Sequence, residues 1–230
     1  MDITQTIALA LIQGLTEFLP VSSSAHLVIL PKFLDWPDQG LAFDVVLHFA
    51  TLCAIVYYYR LTLVEMSKDF ACSIVTRKMQ GQSMLAWAVL LGTIPVGLTG
   101  LFFKDSIELN LRSYEVVTFA TIFFGFLLGF SDWLHRFLGR SREFIRSSDI
   151  LIVGLFQALA LIPGTSRSGI TITAALLIGL SRSLSIKYAF LLSIPVIALA
   201  TLLKTFDLVN ETNQVDWTLL LIGFVIALIT

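Results

Sequence analysis

The sequence predicts an all-α polytopic membrane protein, built from inverted-topology repeats with two re-entrant helical hairpins. Three observations lead to this fold class. The 230 residues are 57% hydrophobic and 13% charged, with a mean hydropathy of +0.87, whereas a soluble domain carries roughly 25% charged residues. Several apolar runs approach the roughly 20 residues that a membrane-spanning helix needs. Two polar stretches, at 13–26 and 163–171, interrupt this apolar sequence.

The apolar runs give the expected order of elements. They lie at about 6–20, 24–34, 41–59, 84–103, 114–134, 150–162, 169–180, 187–203 and 218–230. Four of them are long enough to approach or meet the length of a spanning helix. These are the runs at 41–59, 84–103, 114–134 and 187–203. The sequence therefore predicts four full spans.

Three runs, at 24–34, 150–162 and 169–180, are too short to cross a bilayer. Pro and Ser residues separate them from their neighbours. Irregular backbone at membrane depth is tolerated only where protein or a water-filled cavity satisfies its polar groups. We therefore expect two re-entrant hairpins, at 6–34 and 150–180.

The basic residues indicate how the spans are oriented. They cluster in three loops, which hold Arg60, Lys68, Arg77 and Lys78, then Arg136, Arg140, Arg142 and Arg146, and then Arg182 and Lys187. Loops rich in Lys and Arg face the cytoplasm. The segments between these loops carry acidic residues such as Asp35 and Asp38 and should lie outside. This alternation requires the first hairpin to enter from outside and the second from the cytoplasm, so that the two are inverted.

The two halves of the chain show signs of duplication. Gln13 lies seven residues before Pro20 and Gln157 six before Pro163, which gives a repeat offset near 144. We expect one membrane domain over 1–230, with a first repeat at about 1–104 and a second at about 114–230. Inverted repeats place binding sites near the midplane, with helix N-termini directed at anions. The alternative is two unrelated helices that Pro residues happen to break.

The second polar stretch has the composition of a phosphate-binding turn before a helix. Backbone N–H groups at a helix N-terminus favour anions, and an Arg side chain offers two parallel donors to phosphate oxygens. The predicted phosphate-binding groups are Gly164, Thr165, Ser166, Arg167 and Ser168.

The first polar stretch carries groups suited to bond cleavage. Gln13 and Glu17 are one helical turn apart, so both face the same way and could hold a divalent cation or position a nucleophile. Ser22, Ser23 and Ser24 offer a nucleophilic hydroxyl, and His26 lies close enough to exchange protons. The two stretches together contain the parts for metal-assisted cleavage of a phosphoanhydride.

Each of these groups also has a structural interpretation. A Ser before a helix is often its N-cap. Glu17 could bond a neighbouring backbone group, and Arg167 could reach the interface or form an ion pair with Glu17. Asp44 and His48 are four residues apart on one helix, which favours an ordinary helical contact over catalysis.

Net charge narrows the class of partner. At −1, the chain lacks the basic surface of a nucleic-acid-binding protein, so we expect membrane lipids and no nucleic acid as partners. Cys53 and Cys72 suggest neither a disulfide framework nor a metal knuckle.

The motifs closely resemble those of the bacterial undecaprenyl pyrophosphate phosphatases, also called bacitracin-resistance phosphatases. The residues that carry the resemblance are Gln13-x-x-x-Glu17, Phe18-Leu19-Pro20-Val21-Ser22-Ser23-Ser24-Ala25-His26 and Pro163-Gly164-Thr165-Ser166-Arg167-Ser168-Gly169-Ile170-Thr171. It extends to Phe43-Asp44-Val45-Val46-Leu47-His48, Gly92-Thr93-Ile94-Pro95 and Ser193-Ile194-Pro195, and so covers essentially the whole chain.

The resemblance implies hydrolysis of a C55 polyprenyl pyrophosphate to the monophosphate and inorganic phosphate. This would occur on the outer side of the bacterial plasma membrane, would recycle the lipid carrier for peptidoglycan synthesis and would confer bacitracin resistance. A divalent cation, Mg²⁺ or Ca²⁺, is expected to assist. A homodimer is compatible with these expectations.

The resemblance also assigns roles to individual residues. Glu17 and Gln13 match an acidic or amide pair, Ser23 the proposed nucleophile and His26 the motif histidine. Ser166, Arg167, Ser168 and Thr171 match phosphate-binding positions, and Ser22 and Ser24 are expected to help bind substrate. Gln13 in place of Glu leaves more of the metal binding to Glu17. Family members typically carry one further span, so the 13-residue run at 218–230 is expected to be a shortened last span.

A rival function is a transporter or flippase that moves a prenyl phosphate or phospholipid without chemistry, because inverted repeats and broken helices suit it equally well. A phosphatase of the phosphatidic acid type fits less well, because we find no second downstream histidine that would complete its usual His-dependent site. A purely structural role would not explain why Glu17 and Arg167 lie where they do in apolar sequence.

Overall fold

The computed structural model describes residues 1–111, 113–209 and 216–230, and across these ranges the chain is built from helices. They are α1 Ile3–Thr16, α2 Ser23–Phe33, α3 Leu41–Tyr58, α4 Arg60–Thr76, α5 Ser83–Asn110, α6 Tyr114–Leu138, α7 Ser147–Ala158, α8 Arg167–Leu177, α9 Arg182–Val209 and α10 Trp217–Ile229. A 3-10 turn at Leu159–Leu161 continues α7. The predicted all-α class is confirmed.

Within the part of the chain that the structure describes, four helices are long and apolar enough to cross a membrane. The apolar parts are Leu41–Tyr58, Ser83–Phe103, Tyr114–Leu138 and Arg182–Phe206, and they coincide with the four predicted spans. Other apolar helices are shorter, and the 14 residues of α1 rise only roughly 21 Å against a hydrocarbon core of about 30 Å. The chain is therefore a multi-pass membrane protein.

Helix α6 shows why a bilayer is the appropriate solvent. Phe119, Phe126 and Phe137 are 69%, 76% and 74% exposed on its surface. An apolar face of this kind is rare on a monomeric soluble protein. In a membrane it simply faces lipid tails.

The segment at 60–76 is helical, and the prediction that it belongs to a basic loop was wrong. No Gly or Pro interrupts it until Arg77 ends the helix in the left-handed region, at φ 56°. Arg60, Glu65 and Lys68 are exposed, while Ser73 accepts a 3.1 Å hydrogen bond from Trp87 Nε1 of α5. Charge does not distinguish the two cases, because a charged amphipathic helix and a basic loop can share the same composition.

The two largest buried clusters among the described residues hold most of the helices together. The larger joins α5, α7, α8 and α9 and includes Val153, Tyr188, Leu191 and Leu192. The smaller joins α1, α2, α3 and α10 and includes Leu9, Leu27, Phe43, Leu47 and Ala227. The two polar stretches belong to the helices that these clusters fix.

The α5–α7 contact depends on a glycine. A Cβ on Gly154 would lie 2.9 Å from Gly92 O and 3.1 Å from Pro95 Cγ. Only a residue without a side chain allows so close an approach. One turn further along α7, Gln157 Nε2 donates a 3.2 Å hydrogen bond to Gly92 O.

The packing of the halves is reciprocal. Helix α1 packs on α10, and α7 packs on α5. Helices α3 and α9 pack on each other, while α3 also contacts α10 and α9 also contacts α5. Each short helix near the start of a half thus lies against a helix of the other half, which interlocks the two.

The start of α7 is anchored by a buried carboxylate. Asp149 is 3% exposed and its Oδ2 accepts hydrogen bonds from Arg142 Nη1 at 2.6 Å and from the Arg146 backbone N at 2.7 Å. Arg142 also pairs with Leu180 in an isolated β-bridge just after α8. These bonds tie the start of α7 to the segment that follows α8.

Candidate active site

Glu17 is the central group of the site. It caps the C-terminus of α1, and its backbone N–H still bonds to Gln13 O. The residue is only 7% exposed. A buried carboxylate is costly unless it is paired and hydrogen-bonded, and Glu17 is both.

The two oxygens of Glu17 have different partners. Oε1 lies 2.7 Å from Nη2 of Arg167. Oε2 accepts a 2.6 Å hydrogen bond from Ser23 Oγ and a 2.8 Å bond from Gln13 Nε2. Oε1 is therefore paired with the Arg167 guanidinium, and Oε2 faces the Ser23 hydroxyl, which could act as a nucleophile.

Arg167 joins three parts of the chain. It is the first residue of α8, its side chain is 14% exposed, and it donates to Glu17 and, through Nη1 at 3.1 Å, to Ser193 O on α9. A guanidinium has five N–H donors. The ion pair that the sequence left open is thus present, and donors beyond these two bonds can serve a ligand.

A second contact connects the two polar stretches. Ser168 Oγ donates a 3.0 Å hydrogen bond to Leu19 O, across 149 residues of sequence. Together with the Glu17–Arg167 pair, it places the turn after α1 directly against the N-terminus of α8. The expectation that the two stretches meet is confirmed.

The N-terminus of α8 is built as expected for anion binding. Ser166 is a true N-cap, since its Oγ accepts from Gly169 N at 3.2 Å. The N–H groups of Arg167 and Ser168 belong to the first helical turn, where no intrahelical carbonyl is in reach. Ser166 and Ser168 also share a hydrogen bond of 3.1 Å.

Gly164 shapes the turn before α8. Its φ is +92°, in the region that side-chain-bearing residues rarely adopt, and a Cβ there would lie 2.3 Å from Val117 O of α6. Its carbonyl accepts a 3.2 Å bond from Thr121 Oγ1. The glycine allows close contact between the turn and α6. This contact fixes the position of Arg167 at the start of α8.

The remaining hydroxyls differ in availability. Thr165 Oγ1 is buried and has no hydrogen-bond partner among the described residues. Thr171 Oγ1 donates to carbonyls of its own helix, Arg167 O at 2.9 Å and Ser168 O at 3.0 Å. The Thr165 hydroxyl is thus available to hydrogen-bond a ligand, whereas the Thr171 hydroxyl is already bonded within its own helix.

The three serines before and in α2 do not behave alike. Ser22 occupies the N-cap position at φ 60° but makes no side-chain cap bond; its Oγ lies 3.3 Å from Ser24 Oγ. Ser23 is buried and bonded to Glu17, whereas Ser24 is exposed. The geometry singles out Ser23 as the serine that a base can activate.

His26 lies apart from Glu17. It is exposed on α2, and its Nδ1 is 2.8 Å from Ser22 O. Among the contacts that the structure describes, its ring is joined to the serine turn and not to the carboxylate. Its role in proton transfer stays a prediction.

His48, for which the sequence favoured an ordinary helical contact, also lies at the site. Its Nε2 lies 3.7 Å from Glu17 Oε2, and its Nδ1 is 2.8 Å from Asp44 O. The four-residue contact with Asp44 exists, but through the backbone, because Asp44 Oδ1 accepts from Gln39 Nε2. The available signal was an imidazole inside a predicted span, a costly placement that usually marks function.

The donor set for a divalent cation is small. Within the described ranges, no group of three or more His, Cys, Asp or Glu side chains gathers to bind a metal. However, Gln13 Oε1 is buried without a hydrogen-bond partner among those residues, one turn from Glu17. Two protein oxygens fit Mg²⁺, which is commonly held by one or two carboxylates together with waters and substrate phosphates.

Comparison with known sequences identifies a family. Residues 6–230 match the family described as bacitracin resistance protein BacA. A protein named undecaprenyl-diphosphatase from Vesicomyosocius okutanii subsp. Calyptogena okutanii is 54% identical over 230 residues, which is 100% of this chain and 87% of that protein. One of the same name from Ruthia magnifica subsp. Calyptogena magnifica is 54% identical, covering 100% of this chain and 86% of the relative.

A more distant relative gives the same result. The undecaprenyl-diphosphatase of Nitrosococcus oceani is 52% identical over 227 residues, covering 99% of this chain and 85% of its own length. The similarity spans both polar stretches and all ten helices.

Proposed function

Because this chain belongs to the bacitracin resistance protein BacA family, we propose that it is a membrane-embedded undecaprenyl-diphosphatase. The reaction would hydrolyse undecaprenyl pyrophosphate to undecaprenyl phosphate and inorganic phosphate. The observation that carries this proposal is the Glu17 carboxylate, bonded on one oxygen to Arg167 at 2.7 Å and on the other to Ser23 at 2.6 Å. A guanidinium that can bind phosphate, a carboxylate base and a hydroxyl nucleophile are thereby brought together at Glu17.

Arg167 and the first turn of α8 would hold the pyrophosphate. The guanidinium has donors beyond those used for Glu17 and Ser193 O, and the first-turn N–H groups add a positive helix end. Gly164, Thr165, Ser166 and Ser168 shape and line this turn. The Thr165 hydroxyl, buried without a partner in the described chain, gains one if a phosphate oxygen binds there.

Glu17 would act as the general base and Ser23 as the nucleophile. The Ser23 Oγ–H proton passes to Glu17 Oε2 as Oγ forms a bond to the terminal phosphorus. The bond from that phosphorus to the bridging oxygen breaks, and its electron pair stays on the lipid monophosphate. Water then bonds the phosphorus of the phosphoserine, and its proton leaves with the inorganic phosphate. The P–Oγ bond breaks, and Glu17 returns its proton to Oγ, which regenerates Ser23. The 2.6 Å bond between Oγ and Oε2 supports this assignment.

Direct attack by water is the other route. A water that takes the place of the Ser23 hydroxyl near Glu17 Oε2 would give its proton to the same oxygen. Its oxygen would bond the terminal phosphorus as the bond from that phosphorus to the bridging oxygen breaks, with the electron pair left on the lipid monophosphate. In both routes Glu17 receives the proton, and His26, exposed at the entry of α2, is the predicted group for exchange with solvent.

Glu17 and Gln13 Oε1 would hold a divalent cation, Mg²⁺ or Ca²⁺. When bound, such an ion neutralises phosphate charge and favours departure of the lipid phosphate. Gln13 Nε2 already donates to Glu17 Oε2 at 2.8 Å, which orients the amide so that Oε1 remains for the cation.

Inverted repeats with two re-entrant hairpins would form the scaffold. Helix α7 begins 144 residues after α1 (147 against 3), and α8 begins 144 after α2 (167 against 23). The packing of α1 on α10 and of α7 on α5 is reciprocal. Helices α1, α2, α7 and α8 are all too short for a full crossing, as hairpins that return to one side require.

The site is proposed to face the outside of the bacterial plasma membrane, with the basic loops inside. In a background with Cys53 and Cys72 replaced by Ser, a cysteine at Asp38 should react with a membrane-impermeant maleimide in intact cells. A cysteine at Arg146 should react only after lysis. The reverse pattern rejects this orientation.

A phosphate-release assay on detergent-purified protein tests the enzymatic proposal. Metal-dependent release from undecaprenyl pyrophosphate, lost with a chelator, supports it. Leaflet exchange of the lipid without phosphate release would instead support a flippase. If hydrolysis recycles the carrier for peptidoglycan synthesis, overproduction should raise the bacitracin concentration that cells tolerate. A homodimer stays a prediction.

A further inference from the structure

A groove of about 530 Å³ lies between α5 and α7. The described residues that line it include none of those placed at the candidate active site. Pockets of about 300–1,000 Å³ commonly hold small ligands, so this groove is large enough for a molecule that the proposed reaction does not use. Its walls are mostly apolar and include Met84, Trp87, Leu91, Pro95, Ile150 and Leu151.

The walls of the groove are held in place from outside it. Trp87 Nε1 donates a 3.1 Å hydrogen bond to Ser73 Oγ of α4, and its ring centroid lies 4.8 Å from that of Phe70. The close approach of Gly154 to Gly92 sets the separation of α5 and α7. Side chains fixed in this way do not swing inward to fill the space. Because wall atoms without neighbours lose dispersion contacts, we expect a lipid chain to occupy the groove in a bilayer.

The length of the groove matches one leaflet of a membrane. It begins at Met84, next to the start of the α5 span at Ser83, and reaches Pro95, eleven residues further along the helix. That distance is roughly 16 Å along the helix axis, and half of a hydrocarbon core is about 15 Å. A single acyl chain that enters at the start of α5 therefore fits along it.

Three cationic side chains flank the mouth of the groove. Met79 and Ser147 belong to its lining. Arg77 and Lys78 directly precede Met79, Arg146 directly precedes Ser147, and all three cations are exposed. Among the described residues none of the three forms an ion pair, whereas other cations of the basic segments are paired with carboxylates. Their charged groups are therefore available to a headgroup that lies over the groove.

The carboxylates near the mouth do not cancel this charge. Asp149 is paired with Arg142 at 2.6 Å. Asp69 Oδ2 accepts a 2.7 Å hydrogen bond from the backbone N of Gln82, and Glu143 is exposed. Helices α5 and α7 both begin at this end of the groove, and each adds the partial positive charge of a helix N-terminus. The field at the mouth thus favours an anion.

We propose that the groove binds one anionic phospholipid, with an acyl chain between α5 and α7 and the headgroup phosphate against Lys78 and Arg146. The apolar walls alone do not select a lipid, because acyl chains are all as apolar as the side chains they contact. Selection comes from the headgroup, at about 5-fold in affinity for each Lys or Arg near the membrane surface. The inference does not depend on the proposed hydrolysis.

Trp87 is a reporter within the groove. The chain has four Trp residues, and replacing the other three by Phe leaves Trp87 as the only indole. In phosphatidylcholine vesicles, phosphatidylglycerol with brominated acyl chains should quench its fluorescence at a lower mole fraction than brominated phosphatidylcholine does. Lys78→Gln with Arg146→Gln should remove this preference, at about 5-fold for each charge. Lys68→Gln, exposed on α4, is the matched control and should keep it.

A second pair of variants tests where the chain lies. Leu151 and Leu155 are 60% and 54% exposed on α7, but only Leu151 is in the groove lining. Leu151→Phe should reduce quenching of Trp87 by either brominated lipid, and Leu155→Phe should not. If the triple Phe background does not fold, melting of the unmodified protein in detergent replaces quenching. Added phosphatidylglycerol should then raise the melting temperature more than phosphatidylcholine does, and the double Gln variant should lose this difference.

Two results overturn the inference. Equal quenching, or equal stabilisation, by the two phospholipids at every mole fraction shows that only unselected surrounding lipid reaches the groove. Displacement of brominated phosphatidylglycerol by a polyprenyl phosphate at a lower mole fraction shows that the groove is a prenyl-lipid site instead. Neither measurement uses phosphate release, so both leave the proposed function to its own test.

Discussion

The carboxylate of Glu17 lies 2.7 Å from the guanidinium of Arg167, 150 residues further along the chain. Both side chains are largely buried, at 5% and 14% exposure. The pair is the main polar link between the turn after α1 and the N-terminus of α8. It also means that the residues proposed for base catalysis and for phosphate binding stabilise each other before any ligand arrives.

Arg167→Met should abolish activity and destabilise the fold. It removes the phosphate-binding fork, which should reduce kcat/KM by about 10²–10³-fold or more, and it leaves a buried carboxylate unpaired, at about 3–5 kcal/mol. Adding Glu17→Gln should recover much of the thermal stability and none of the activity. Phosphate release and melting in detergent measure both effects. A double variant no more stable than Arg167→Met would contradict the coupling.

Ser23→Ala separates the two chemical routes. If Ser23 forms a phosphoenzyme, turnover should fall at least about 10³-fold, and rapid acid quenching of the wild type should trap phosphate on Ser23, detectable by mass spectrometry. Ser67→Ala on the exposed face of α4 is the matched control and should behave as the wild type. Near-normal turnover in Ser23→Ala would leave only the water route.

Gly164→Ala should destabilise the protein more than Gly139→Ala. Both glycines have positive φ, +92° and +60°, but a Cβ at 164 meets Val117 O at 2.3 Å while nothing lies within 4 Å of one at 139. We expect about 1 kcal/mol of backbone strain at 139 and at least about 3 kcal/mol at 164. Melting temperatures in detergent report the difference, and equal shifts would show that the turn does not press on α6.

Gln13→Glu should lower the Mg²⁺ concentration that gives half-maximal activity, and Gln13→Ala should raise it. The reason is that Oε1 is a buried oxygen with no partner in the described chain, and a second carboxylate strengthens binding of a hard cation. The measurement is a metal titration after chelation, at saturating substrate.

Gln157 provides the control for this titration. It is equally buried on α7, but its amide donates to Gly92 O, away from Glu17. Gln157→Ala should leave the half-saturating Mg²⁺ concentration unchanged even if it lowers the yield. An identical metal dependence in all three variants would remove Gln13 from the cation site.

The parts of the fold that the sequence revealed are those set by local pattern. Four spans follow from hydrophobic length, and the meeting of Glu17 with Arg167 was expected because each belongs to a polar, Pro-broken stretch within apolar sequence. Helix α4 was missed because charge was given more weight than the absence of Gly and Pro. His48 was assigned only a helical contact with Asp44 because periodicity says which face of α3 it shares but not that this face points at Glu17. That direction depends on how α1 and α3 pack, a long-range property.

The contact between α1 and α10 has a consequence for biogenesis. Helix α1 ends at Thr16 and its packing partner α10 begins at Trp217. Helix α10 is therefore synthesised about 200 residues after α1, a delay of roughly 10–40 s at ordinary translation rates. During that interval, the face of α1 that carries Leu9 has no native cover from α10. We therefore expect the nascent protein to depend on insertase or chaperone shielding of this helix until the late segment leaves the ribosome.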